Sequence, residues 1–183
     1  MTRDEAVAIL DEYLQNKNLR SHCRAVEACM RSYARKFGED EELWGVTGLL
    51  HDFDYELNGE QHHHPKDGAP ILRQKGVPEN IVRAILAHDD DPGFVRETMM
   101  EKACYATDTI TGLIVAVALV RPNKKLEEVT TESVLKKYKD PGFSRNVNRE
   151  NIAQGAALLG VTLEEHIGNC LQAMQSIHEE LGL

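Results

Sequence analysis

The sequence is poor in the features that mark secreted, redox-active or base-stacking proteins. It has four cysteines, Cys23, Cys29, Cys104 and Cys170, and none forms a C-x-x-C pair. That excludes a zinc ribbon and a thioredoxin-type dithiol, and nothing points to a disulfide framework. Aromatic residues make up 5% of the chain and are scattered, too few for a base-stacking platform. No glycine-rich phosphate loop is present, which removes P-loop nucleotide chemistry. The longest apolar run, Leu113 to Val120, falls far short of the ~20 residues that span a bilayer. Asp4, Glu5, Asp11 and Glu12 make the amino terminus unlike a signal peptide. The expectation is a reduced, cytoplasmic protein with no membrane segment.

Positive charge is also scarce. The 21 basic residues face 30 acidic ones, for a net charge of -9. A nucleic acid polymer would be repelled by the molecule as a whole. A small phosphorylated substrate still fits, because a bound divalent metal reverses the local sign. With 183 residues the chain is expected to be one domain, 1–183, burying roughly 70% of its unfolded surface. It needs no disulfide or structural metal merely to fold.

What is present is helical periodicity nearly everywhere, so the expected fold class is all-α, a single-domain helical bundle. Thr2-Arg3-Asp4-Glu5 reads as a capping box for a first helix, and a second follows from about Leu19 to Gly38. Glu42 to Leu50 is a short helix that runs directly into His51-Asp52. Asn58-Gly59 opens a loop, Pro65 suits the first turn of the next helix, and Pro78 starts another. A long apolar helix spans about Glu97 to Val120. Shorter ones follow from Thr130, from Asn148, and from Thr162 to about Leu181.

Three polar residues stand on inward faces. His22 falls on the Leu19–Val26 stripe, His88 on the Ile81–Ile85 stripe, and Asp108 opens the most apolar helix. Unpaired burial of such groups costs several kcal/mol, so each requires a partner. Singly, an inward histidine is usually a hydrogen-bonded core residue. Together with His51-Asp52, these imidazoles and carboxylates form a donor set suited to a divalent transition metal.

The order His22, His51-Asp52, Asp108 resembles the HD-domain superfamily of metal-dependent phosphohydrolases. The approach Gly48-Leu49-Leu50-His51-Asp52 and the segment His64-Pro65-Lys66-Asp67-Gly68-Ala69-Pro70-Ile71-Leu72 are similar to HDIG-type members. The resemblance covers roughly residues 20–115 and implies that His22, His51, Asp52 and Asp108 bind one metal. In binuclear members two further histidines complete a second site, and His64 and His88 stand at the matching positions. The implied cofactor is one or two ions of iron, manganese, zinc or nickel. Phe53-Asp54 follows the doublet where the HDIG type has Ile-Gly, and no G-Y-P signature occurs, which argues against cyclic-dinucleotide cleavage.

The resemblance implies a phosphohydrolase acting on a small phosphorylated metabolite or nucleotide through a metal-activated water. Asp52 would be the bridging carboxylate, with proton transfer assigned to Asp54 or Glu56. Arg121, Lys136 and Lys137 are candidates to hold the substrate phosphate, along with Lys124, Lys125, Lys139, Arg145 and Arg149. Residues 121–183 carry no further motif and are the expected specificity region. Two other classes use the same ligands: a di-iron oxygenase and a non-catalytic, metal-stabilised sensing module. Of the run Gln61-His62-His63-His64, the position before Pro65 favours His64 as the ligand.

Overall fold

The structure, a computed structural model, describes residues 1–57, 63–91 and 93–183. The expected Asn58-Gly59 loop and His62 lie outside the described residues. Among those described there are ten α-helices and no strand. They are α1 (Arg3–Tyr13), α2 (Lys17–Phe37), α3 (Glu41–Leu50), α4 (Gly68–Gln74) and α5 (Glu79–Leu86). Then follow α6 (Met99–Leu119), α7 (Thr131–Tyr138), α8 (Arg149–Leu158), α9 (Leu163–Gln175) and α10 (His178–Leu181). The all-α fold class therefore holds.

Caps fix where the helices begin. The Thr2 hydroxyl accepts from Glu5 N while the Glu5 carboxylate accepts from Thr2 N at 2.7 Å, closing the capping box of α1. Helix α2 starts before Leu19 because the Asn16 side chain caps it, accepting from Asn18 N at 2.9 Å. It ends at Gly38, whose φ of +72° is a left-handed conformation that glycine adopts without penalty. A second capping box, Thr98 with Glu101, sets the start of α6 at Met99 rather than Glu97.

Two expected elements are corrected. Pro65 does not open α4; residues 64–67 form turns, and the helix begins at Gly68. A β-carbon at position 68 would overlap the Asp54 carboxylate, so the glycine leaves room for that side chain. The expected terminal helix breaks into α9 and α10. The Ser176 hydroxyl donates to Ala173 O at 2.7 Å, offering the backbone a local alternative to continued helix.

Two cores meet along α2 and α3. One gathers Val26, Met30, Tyr33, Ile110, Leu113, Ile167 and Met174 between α2, α6 and α9. The other gathers Leu10, Leu14, Leu49, Phe53, Leu72, Ile81 and Ile85 between α1, α3, α4 and α5. Helix α6 is long and apolar enough by length and composition to cross a membrane, which the apolar-run reading had excluded. However, 61% of its most apolar window is buried inside the protein, as for a central core helix.

Candidate metal centre

The doublet follows directly on Leu50, the last residue of α3, and the helical path carries on into it. His51, at the end of α3, keeps helical angles (φ -57°, ψ -37°) and is fully buried. Its Nδ1 lies 2.8 Å from Gly48 O, one turn back, which makes Nδ1 the protonated nitrogen and points Nε2 the other way. Gly48 permits this placement. A β-carbon there would lie 2.9 Å from Glu27 N and Val26 O, so only glycine lets α3 approach α2 so closely. Asp52 follows, 6% exposed, and faces the same point.

Helices α2 and α6 supply the rest of one group. His22 Nε2 lies 3.1 Å from His51 Nε2, 3.4 Å from Asp52 Oδ2 and 3.0 Å from Asp108 Oδ1. The ligand atoms of His22, His51, Asp52 and Asp108 all lie within 4.8 Å of one another. Asp52, His64 and His88 meet the same criterion as a second group. There His64 Nε2 is 2.9 Å from Asp52 Oδ1 and 2.9 Å from His88 Nε2. Asp52 belongs to both.

The hydrogen bonds around the rings leave acceptors turned toward a common point, as a cation requires. His88 Nδ1 lies 2.5 Å from Ile85 O, and His64 Nδ1 lies 2.7 Å from Asp54 Oδ1, so each ring donates away from the centre. In the neutral tautomers, the Nε2 lone pairs of His64 and His88 then converge with a carboxylate oxygen, three acceptors without a donor between them. His22 and His51 repeat the pattern beside Asp108. Mixed imidazole and carboxylate donors of this kind suit a divalent transition metal.

The electrostatics agree. Burial disfavours the charged ring of His51, but the Asp52 charge and hydrogen bonding to Asp108 outweigh it and raise its pKa well above the usual range. His64 is lifted to about 9: burial opposes, and its bonds to Asp52 and Asp54 prevail. Burial likewise works against ionised Asp52 and Asp108. The histidines override it, holding Asp52 well below the ordinary carboxylate range and lowering Asp108 too. Protons and a cation compete for the same lone pairs, so metal uptake releases protons.

A cavity of about 390 Å³ opens over the two groups, lined in part by His22, Asp52, His64, His88 and Asp108. Asp54 and Glu56, the sequence candidates for proton transfer, are not in its lining. Asp54 is fully buried and holds the far nitrogen of His64, an orienting role. Glu56 is exposed and accepts from Asn16 N at 2.9 Å, bracing the α1–α2 junction.

Arg121, Lys136 and Lys137 are also placed elsewhere. Arg121 lies beyond the end of α6, about 20 Å along the helix axis from Asp108. Lys136 is exposed on α7, and Lys137 Nζ sits 4.7 Å from the Phe143 ring centroid. The Arg149 guanidinium donates to Ser144 O and Val147 O, a loop-bracing contact. His63 has an 80% exposed side chain at the surface.

Sequence reasoning missed Tyr55, Asp89 and Asp90, all in the cavity lining. Their signal was position: Tyr55 stands three residues after Asp52, and Asp89-Asp90 follow His88 directly.

Residues 19–106 match the family model of the HD domain. The chain carries an HD domain. Asp108 falls two residues beyond the matched segment, on the helix that segment enters. Among curated proteins, Ribonuclease Y of Lactobacillus gasseri is 32% identical over 102 residues, 52% of this chain and 17% of that relative. Ribonuclease Y of Nitratidesulfovibrio vulgaris is 29% identical over 144 residues, 76% of this chain and 24% of the relative. The chain thus spans at most about a quarter of the length of these relatives. No solved structure matches it.

Proposed function

We propose that this HD domain hydrolyses a phosphate ester or anhydride of a small metabolite or nucleotide at a binuclear metal centre. The observation that carries this is the shared carboxylate. Asp52 Oδ2 lies 3.4 Å from His22 Nε2, while Oδ1 lies 2.9 Å from His64 Nε2, the disposition of a bridging ligand. When bound, a metal pair supplies a water deprotonated near neutral pH and polarises phosphate oxygens.

The protein's own residues set the rest. His22, His51 and Asp108 hold one side, His64 and His88 the other, and Asp52 stands between them. Leu19, Tyr55 and Pro65 form an apolar wall of the cavity. No lysine or arginine is in the described lining, so no side chain there neutralises a phosphate directly. In place of Asp54 and Glu56, the general-acid role toward the leaving group is assigned to the cavity carboxylates outside the ligand groups. These are Asp89, paired with Lys66 at 3.4 Å, and Asp90, which accepts from Asn151 at 2.6 Å.

The test is metal analysis of purified protein followed by turnover with p-nitrophenyl phosphate, nucleotides and a short RNA. Expected are bound transition metal and metal-dependent cleavage of small esters, both abolished or sharply reduced in Asp108→Ala. Retention of both in that variant would sink the assignment. The relatives' name favours one other reading, RNA cleavage, against which stands the net charge of -9. Cleavage of the RNA with no turnover of small esters would establish it instead. Oxygen uptake by the iron-loaded protein would point to a di-iron oxygenase, and metal-dependent stabilisation without any turnover to a sensing module. The cytoplasm is the proposed compartment, in keeping with four buried, unpaired thiols.

A further inference from the structure

Each candidate ligand histidine has its far nitrogen held, but by different means. Backbone carbonyls hold two of them: Gly48 O for His51 and Ile85 O for His88. Side chains hold the others. Asp54 holds His64, and Thr111 holds His22, with Thr111 Oγ1 at 3.1 Å from His22 Nδ1.

Thr111 is fully buried on α6, three residues after Asp108, and its hydroxyl lies 2.7 Å from Asp108 O. A hydroxyl has one proton. Given to Asp108 O, the shorter of the two contacts, it leaves the oxygen to accept from His22 Nδ1–H. Nδ1 is then the protonated nitrogen and Nε2 keeps its lone pair toward Asp108 Oδ1 and His51. One hydroxyl therefore sets the tautomer and the ring angle of a ligand on α2 from the helix that carries Asp108. Ligand-orienting groups of this kind are commonly worth 10–100-fold in metal affinity.

We infer that Thr111 and Asp54 are positioning residues that set the affinities of the two metal groups separately: Thr111 that of His22, His51, Asp52 and Asp108, and Asp54 that of Asp52, His64 and His88. The two anchors lie on different elements and touch different histidines, while Asp52 is common to both groups. The anchors also differ in charge. A carboxylate behind His64 makes that ring a more basic ligand, whereas a hydroxyl behind His22 fixes direction alone. This inference rests on the metal-centre reading above and adds residues that neither the ligand pattern nor the cavity lining reveals.

The experiment is titration of the metal-free protein with cobalt(II), followed by visible absorption, with bound metal counted after desalting. The wild type is expected to bind two ions. Thr111→Val preserves the β-branched shape but removes the hydroxyl; it should weaken one ion by about 10–100-fold and the other far less. Thr111→Ser should restore it. Asp54→Asn should weaken the other ion, with a different change in the cobalt spectrum. The metal-free melting temperature, measured for each variant, shows whether it folds. Two ions bound by folded Thr111→Val as tightly as by the wild type would overturn the proposal, as would equal weakening of both ions in both variants. A wild type that binds no cobalt would instead remove the metal-centre reading, and this inference with it.

Discussion

His166 is an imidazole whose surroundings suit a core rather than a metal. It is fully buried; its Nδ1 lies 2.6 Å from the Tyr33 hydroxyl, which donates to it, and Nε2–H donates to Ala106 O at 3.0 Å. Burial, with no carboxylate to offset it, pushes its pKa down to about 4. The unfolded chain takes up a proton on this residue near pH 6.5, which the folded protein refuses until about pH 4. The His166 contribution to stability is therefore complete above about pH 6.5 and lost as pH falls toward 4, by at most about 3 kcal/mol. Urea unfolding of wild type and His166→Gln should show their difference narrowing by up to that amount between pH 7 and pH 4. A constant difference would refute the account. Glu56 gives the complementary prediction: Glu56→Ala should lower the melting temperature slightly through the α1–α2 junction. The turnover proposed above should stay within about twofold of wild type, as expected of an exposed residue outside the cavity lining.

At the scale of elements, helix contacts place the chemistry. Helix α3 can deliver His51 only by lying against α2 at Gly48. Gly48→Ala would put a methyl 2.9 Å from the backbone of Glu27 and Val26. Overpacking of that sort costs about 1–3 kcal/mol. It should also move Gly48 O, the anchor of His51, so melting temperature and metal affinity should fall together. Gly112→Ala, on exposed α6 surface where an added β-carbon meets nothing within 4 Å, should instead stabilise by about 0.5–1 kcal/mol. Thermal melts with metal titrations on both variants check this. Much at this scale was legible in the sequence. The Thr2–Glu5 box, the Gly38 terminus and the Asn148 cap are local signals, written within four residues of the ends they set. The split between α9 and α10 was not legible, because Leu181 continues the apolar spacing while the backbone leaves helical angles at Ile177.

At the scale of the whole molecule, the candidate ligands come from both sides of the junction between the two cores. His22 and Asp108 stand on α2 and α6, and His51, His64 and His88 stand at the ends of α3 and α5 and before α4. An ion held there ties the two cores together. Saturating metal, at about 100 times its dissociation constant, should add about 2.7 kcal/mol per bound ion to unfolding, and chelation should remove it. We propose that residues 1–183 unfold as one unit, so calorimetry should show a single transition that shifts with metal; two separate transitions would contradict it.

The sequence by itself determined the helices, the inward faces and the set of residue types able to hold a metal. Periodicity reports which side of a helix faces inward, and it picked out His22, His88 and Asp108 for that reason. It does not report what that side meets. His22 and Asp108 are 86 residues apart in the chain and 3.0 Å apart in space. Only tertiary structure decided that Asp54 turns away from the cavity to hold His64, that Thr111 stands behind His22, and that the basic residues at 121, 136 and 137 lie elsewhere. Each depends on how two helices distant in sequence are oriented, and helix packing settles that orientation through contacts such as Gly48 of α3 against α2, which no local pattern encodes.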